Sequence, residues 1–306
     1  MQTLTMEETI TKQKDMSVLA FDPPDGFTGK NIFPDPVTTP TYMELWEVEK
    51  NLNFHEWRMW IGAHYKLPVH LCFLYVMGIF LGQIFMRRKP AYKLNQFMII
   101  WNVALAGFSL AGFFRSYPEV LHLLYRSNGF YRITCSREEY NNASAFWSVL
   151  GVFSKVMELG DTAFIVLRKK PVIFLHWFHH ATVMCYTWST FEYLDPSHRW
   201  YTVMNYFIHA IMYSYYALRA MRFTLNKKVS MIITALQLCQ MIAGVGINVY
   251  SIIKINEGTP CARKLQNVQM VLLMYTTYLV LFAQFFYSSY ITPKNKNDTK
   301  DRCHCE

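Results

Sequence analysis

Charge is scarce in this sequence. Of 306 residues only 17% are Asp, Glu, Lys or Arg, against 52% hydrophobic and 17% aromatic. Soluble domains carry about 25% charged residues, and a soluble all-α fold would show amphipathic stripes and more charge. No repeat of fixed period runs through the chain, which excludes a solenoid. No basic segment followed by an apolar core opens it, so no cleavable signal peptide is expected. Histidines and cysteines are also few, ten and seven.

What is present is a series of long apolar runs. Seven stretches, 67–86, 94–114, 145–167, 172–190, 200–217, 230–253 and 268–291, have the length of about 17–25 residues that a bilayer demands. The expected fold is all-α, a polytopic membrane protein with seven transmembrane helices. Residues 1–66 form an N-terminal luminal segment. It is loose around Pro23, Pro24, Pro34 and Pro36, and Tyr42 to Lys66 reads as an aromatic-rich helix, either along the bilayer interface or as a short solvated helix. The seven-helix domain is 67–291, and 292–306 is a cytosolic tail.

Lys and Arg set the orientation. One set of connections and the tail hold 15, including Arg168, Lys169, Lys170, Arg219, Arg222, Lys227 and Lys228. The opposite loops hold 8, namely Arg115, Arg126, Arg132, Arg137, Arg199, Lys254, Arg263 and Lys264. The richer side is assigned to the cytosol and the N-terminus to the lumen. The formal net charge of +9 is therefore a topology signal, and nucleic acid is not expected as a partner. Cys135 and Cys261 both fall on the luminal side, where an oxidising environment permits a disulfide. Asn142-Ala143-Ser144 is a luminal glycosylation sequon, and Asn297-Asp298-Thr299 lies on the wrong side. Cys303, His304 and Cys305 in the tail are weak metal candidates.

Ionisable groups inside a membrane are costly and mark cavities or pathways. They cluster here in four consecutive spans. The third span holds Lys155, Glu158, Asp161 and Thr162. The fourth holds His176, His179 and His180, the fifth Asn205, His209, Tyr213, Tyr215 and Tyr216, and the sixth Thr234, Gln237 and Gln240. At about 100° per residue each set gives a stripe: His176, His179 and His180 within an arc of roughly 100°, and Lys155, Glu158 and Thr162 together on one face. Four stripes in neighbouring helices argue for one shared interior. Hydrogen bonding between helices accounts for part of the Gln and Asn set, but not for three histidines beside an acid pair.

A metal centre is the first reading of HxxHH. Membrane di-iron oxygenases need several histidine boxes, and only four histidines fall in the presumed interior, with His55, His64 and His198 outside the spans. A single zinc with three imidazoles and one acid stays open. The other reading is covalent catalysis, with imidazole attacking a thioester to give an acyl-imidazole. Cys185 points away from the histidine stripe, and Cys239 has no activating base beside it, which favours a histidine nucleophile.

KxxExxDT, HxxHH, NxxxHxxMYxYY and TxxQxxQ, in this order in successive spans, resemble the fatty-acid elongase family, the membrane 3-ketoacyl-CoA synthases of the endoplasmic reticulum. The resemblance covers about residues 68–292. It implies condensation of a long-chain acyl-CoA with malonyl-CoA, releasing CO2 and CoA, to a 3-ketoacyl-CoA longer by two carbons. It further implies six helices enclosing an acyl tunnel, no metal or other cofactor, an endoplasmic reticulum membrane location, and partners among the other enzymes of the elongation cycle; a homo-oligomer is left open. It assigns the covalent role to His179 with His209 beside it, and supports the Cys135–Cys261 disulfide. His176, His180, Glu158 and Asp161 would orient and tune His179, and Lys155 belongs to the same motif. Asn205, His209, Tyr213, Gln237 and Gln240 would stabilise the enolate, unranked. Arg168, Lys169, Lys170, Arg219, Arg222, Lys227 and Lys228 would meet the CoA phosphates. Pro171, where polyunsaturated-type members carry Gln, points to the saturated and monounsaturated branch. The alternative is a metal-dependent lipid hydroxylase or desaturase.

Overall fold

A computed structural model describes residues 37–292. The prolines at 23, 24, 34 and 36, the sequon at Asn297, the tail after 292 with its basic residues, and Cys303, His304 and Cys305 lie outside the described residues. The chain starts with strand β1 (Val37–Thr38) and short helices α1 (Glu47–Lys50) and α2 (Phe54–Ala63). The long elements are α3 (Leu67–Met86), α4 (Asn95–Leu124), α8 (Phe174–Phe191), α9 (His198–Ala220), α10 (Lys227–Asn256) and α11 (Leu265–Phe286). Between α4 and α8 lie α5 (Gly129–Cys135), β2 (Tyr140–Asn141), α6 (Asn142–Met157) and α7 (Gly160–Leu167), and a π-helical turn, Tyr287–Ile291, closes the series.

Each expected span meets a helix, with shifted limits. The run 67–86 coincides with α3, which starts with Pro68 in its first turn, where a missing N–H costs nothing. The run 94–114 continues ten residues further, through Pro118 inside α4. The run 145–167 is broken at Glu158-Leu159 into α6 and α7. The backbone there keeps helical angles but its hydrogen bonds tighten to three-residue spacing, Asp161 N–H to Glu158 O at 3.1 Å and Thr162 N–H to Leu159 O at 3.2 Å, while Gly160 admits the Trp101 ring of α4, which a Cβ would meet at 2.7 Å.

Among the described residues four helices are long and apolar enough to cross a membrane, α3, α4, α10 and α11 extended through Ile291, with mean hydropathy between 1.6 and 1.9. They present Phe73, Leu81, Ile84, Ile100, Phe114, Leu273 and Val280 outward, a surface suited to hydrocarbon and not to water. The protein is a multi-pass membrane protein. α6, α8 and α9 carry polar stripes and pack inward, which lowers the hydropathy of the expected spans they form, and α10 carries a fourth stripe on one face. α9 lies along α4, with Gly112 meeting the Tyr206 ring, and α10 lies along α11, with Gly244 meeting Tyr275.

α2 does not stand apart from the bundle. Its Phe54 and Ile61 enter a core with Tyr140, Val149, Val152, Trp188 and Phe191, while Trp57 and Trp60 face outward. Trp188 Nε1 donates to Ile61 O at 3.2 Å, and β1 pairs in parallel with β2, Val37 opposite Tyr140. This end of the molecule is closed by buried ion pairs. Glu119 meets Arg199 at 2.9 Å and Asp195 meets Arg263 at 2.8 Å. Glu49 is held by Arg115 and by Trp147 Nε1. Burial opposes the charge of Glu49, but the bonds from Arg115, the Trp46 N–H and Trp147 hold its carboxyl below the usual range. Cys135 and Cys261 form a disulfide at the same end.

Candidate active site

The four polar stripes converge on one cavity of about 280 Å³. α8 supplies the wall holding His176, His179 and His180, because i, i+3 and i+4 share a helix face. α6 supplies Lys155, α9 Asn205 and His209, and α10 Thr234, Gln237 and Gln240. A fifth wall was not read from the sequence: Met274, Tyr275, Tyr278 and Phe282 of α11. Their spacing at three and four residues was visible, but an aromatic stripe at that period is equally a core face.

The centre of the polar network is Glu158, which lies behind the cavity wall. Its Oε1 accepts from Lys155 Nζ at 2.8 Å and Ser154 Oγ at 3.2 Å, and stands 3.7 Å from His209 Nδ1. Lys155 Nζ also donates to Asn205 Oδ1 at 2.7 Å, leaving the Asn205 amide nitrogen 3.0 Å from His209 Nε2. Lys155, Glu158 and His209 are all buried. One lysine thus fixes the carboxylate and the amide that flank one imidazole.

The histidines of α8 differ from one another. His176 Nε2 is 2.9 Å from Thr162 Oγ1, which is 2.6 Å from the Tyr75 hydroxyl of α3. If Tyr75 donates to Thr162 and Thr162 donates onward, His176 Nε2 is an acceptor and its proton sits on Nδ1. His180 is buried, with Nδ1 lacking a partner. The His179 ring makes only ring contacts, with His180, Tyr278 at 4.8 Å between centroids, and Phe282, and no hydrogen bond to another described residue. Tyr278 is itself held by Thr182 at 2.6 Å.

Several expectations change. Asp161 and Tyr213 do not line the cavity. Asp161 accepts from Trp101 Nε1 at 2.7 Å and from the Tyr213 hydroxyl at 2.8 Å, because the break before Gly160 takes α7 out of the α6 stripe. His198 was placed outside the interior, yet it begins α9 and lines the cavity; five histidines therefore face it. Five remain short of the several boxes a di-iron site needs, and no group of three or more His, Cys, Asp or Glu is arranged to hold a metal among the described residues. Cys185 and Cys239 are not in the lining. Gln237 Nε2 reaches only Met212 Sδ, at 3.4 Å. The Asn142 sequon begins α6: Asn142 Oδ1 is buried without a partner, and Ser144 is buried with its N–H donating to Asn141 Oδ1 at 2.6 Å. That acceptor site is folded into a helix start and gives a glycan little access.

The basic residues separate into two kinds. Of the eight on the poorer side, Arg115, Arg126, Arg132, Arg199, Lys254 and Arg263 are each paired with a carboxylate. On the richer side Lys169 reaches the carbonyls of Arg87 and Lys89, and Lys227 that of Ser289. The cavity runs from Ile173, Ser230 and Tyr290, next to this basic group, to Thr187, His198 and Tyr201 beside the ion-paired end.

The sequence profile described as ELO: GNS1/SUR4 family matches residues 60–298. The chain belongs to the ELO family. Among its relatives are very long chain fatty acid elongase 6 of Drosophila melanogaster, 43% identical over 259 residues, covering 83% of this chain and 82% of that protein; putative fatty acid elongase 3 of Caenorhabditis elegans, 40% identical over 251 residues, 79% and 78%; and very long chain fatty acid elongase 6 of Homo sapiens, 37% identical over 255 residues, 83% and 96%. In this ELO protein the matched region contains all of α3 to α11 and hence every wall of the cavity.

Proposed function

We propose that the protein is the condensing enzyme of fatty acid elongation, a 3-ketoacyl-CoA synthase that extends long-chain acyl-CoA by two carbons from malonyl-CoA. The observation that carries this reading is His179, an imidazole on the cavity wall without a hydrogen-bond partner, facing the Lys155–Glu158–Asn205–His209 network. Its neutral ring would attack the acyl carbonyl. The carbon–sulfur bond breaks, CoA leaves as the thiol after protonation, and the acyl group rests on the imidazole. Malonyl-CoA then loses CO2, and the electron pair of the broken carbon–carbon bond forms an enolate. The enolate carbon attacks the acyl carbonyl and the nitrogen–carbon bond breaks, releasing the 3-ketoacyl-CoA.

Asn205, His209, Gln237 and Gln240 are the donors within reach of the developing negative charge; Tyr213, turned to Asp161, supports the wall instead. Arg168, Lys169, Lys170, Arg219, Arg222, Lys227 and Lys228 would meet the CoA phosphates at the cavity end near Ser230 and Tyr290, where Lys227 reaches Ser289 O. The reading needs no cofactor beyond the two substrates. It places the protein in the endoplasmic reticulum membrane with the disulfide-bonded end in the lumen, and Pro171 favours saturated, monounsaturated or branched chains.

The test is fatty acid profiling after expression in a host lacking its own elongases, followed by acyl-CoA panels with purified protein. Two-carbon extension dependent on malonyl-CoA is expected, and its absence across the panel sinks the proposal. His179→Ala is expected to fold and to lose the acyl adduct. An adduct on Cys239 would overturn the assigned nucleophile.

A further inference from the structure

Two thiols meet outside the cavity. Cys72 lies on α3 and Cys185 on α8, and their Sγ atoms are 3.0 Å apart. Each thiol also reaches the backbone of the other helix: Cys72 donates to Ala181 O at 3.2 Å and Cys185 to Pro68 O at 3.6 Å. Reciprocal contacts of this kind require the two side chains to project toward each other, the condition a disulfide imposes on its partners. Neither residue is fully buried. Cys72 is five residues from the start of α3 and Cys185 six from the end of α8, so both lie within about 10 Å of the helix ends at 1.5 Å per residue. The contact of Cys185 with Pro68 O, in the first turn of α3, shows that these are neighbouring ends. They share the side of the bundle that carries Cys135–Cys261.

We propose that Cys72 and Cys185 form a reversible disulfide that clamps α3 to α8. The oxidant is a small disulfide such as oxidised glutathione. One protein thiolate attacks it, forming a mixed disulfide and releasing one glutathione thiolate. The second protein thiolate then attacks the mixed disulfide at the protein sulfur and releases the other. Two protein thiols become one disulfide, one glutathione disulfide becomes two thiols, and the two protons pass to the glutathione thiolates. The clamp sits one turn from Tyr75, whose hydroxyl reaches His176 through Thr162. The redox state of the pair would therefore set how firmly α3 supports the histidine helix, whatever reaction the cavity performs.

Purified full-length protein is equilibrated with glutathione buffers of increasing oxidised fraction, alkylated, digested and analysed by mass spectrometry. A Cys72–Cys185 linked peptide is expected to appear as the buffer becomes oxidising, to vanish with dithiothreitol, and to be absent from Cys72→Ser and Cys185→Ser. Cys239, which is exposed, should never join that peptide. Oxidation should also raise the melting temperature of the unmutated protein by several degrees and leave that of Cys72→Ser unchanged. If the serine variants fail to fold, the linked peptide and the melting shift of the unmutated protein decide alone. Alkylation of both thiols at every ratio, accumulation of the mixed disulfide without closure, or closure with no melting shift would each overturn the clamp.

Discussion

Replacing Lys155 by methionine removes the group on which the polar network turns. Lys155 and Glu158 are 7% and 3% exposed, with Nζ and Oε1 at 2.8 Å. Breaking a buried pair from one side costs about 3–5 kcal/mol, because the remaining charge has neither partner nor water. Glu158→Leu should cost a similar amount, leaving Lys155 with Asn205 alone. In Lys155→Met/Glu158→Leu no uncompensated charge remains. The residual cost is that of the orphaned Asn205 Oδ1 and the lost Ser154 bond, about 1–3 kcal/mol. Additivity would give about 6–10 kcal/mol from the two single values. Unfolding titrations in mixed micelles, followed by tryptophan fluorescence, measure all three. A double variant as unstable as the sum of the singles would refute the buried pair. Turnover supplies an independent check. The double variant should regain stability without regaining activity, since Asn205 is no longer held against His209; an active double variant would remove Lys155 and Glu158 from the mechanism.

Three further outcomes are expected. Glu49→Gln should lower stability near neutral pH by about 1–3 kcal/mol. Because the carboxyl is held below its usual range, its contribution is present above the unfolded carboxylate pKa and is lost as pH falls below it, so variant and unmutated protein should converge in acid melting curves; a gap independent of pH would contradict this. Tyr75→Phe should reduce kcat about 2- to 10-fold with KM unchanged, the worth of one hydrogen bond, and should shift the pH profile of turnover if the hydroxyl acts through His176. Gly160→Ala should drive a methyl into Trp101 and cost about 1–3 kcal/mol, whereas Gly78→Ala, with nothing within 4 Å, should be neutral by thermal melting.

The sequence was most informative where a helix faces one environment. α3 is apolar on all sides, starts at a Leu-Pro pair and stops at Arg87-Arg88, so its limits were readable. Polar stripes on α6, α8, α9 and α10 located the interior, since a charge that is expensive in hydrocarbon has few other places to go. Asp161 was misread because KVMELGDT continues a helical period, and nothing in that stretch announces the tightening of the backbone at Glu158-Leu159 or the Trp101 partner on α4. His198 was misread because it follows a loop, and position relative to a span says nothing about a chain that folds back over the cavity end. Tyr75 and Tyr278 could not be singled out: each is one aromatic among many, and what distinguishes it is a partner on a distant helix.

The distribution of pairing is what favours imidazole as the nucleophile of the proposed reaction. A carboxylate or ammonium inside a membrane protein must be matched, and here each is. Glu158 is matched by Lys155, and Asp161 by Trp101 and Tyr213. The ion pairs of the closed end do the same for Arg199 and Arg263. A matched charge is a poor nucleophile, because its lone pairs are already engaged. Neutral histidine tolerates an apolar wall at far smaller cost and keeps a lone pair free on one nitrogen. His176 gives that nitrogen to Thr162 and His209 faces Asn205, while the His180 ring is buried. His179 combines a place on the cavity wall and partial exposure with a ring that makes no hydrogen bond to a described residue, so a substituent that gave it a partner should silence it without unfolding the protein. Tyr278, 4.8 Å from its ring, is the position to use. Tyr278→Gln would bring an amide N–H donor against the free nitrogen of His179 and should strongly reduce acyl transfer, while Tyr278→Phe, which keeps the ring and loses only the bond to Thr182, should retain most of it. Equal activity in the two variants, measured as acyl-CoA consumption, would mean that the free nitrogen of His179 is not the reacting atom.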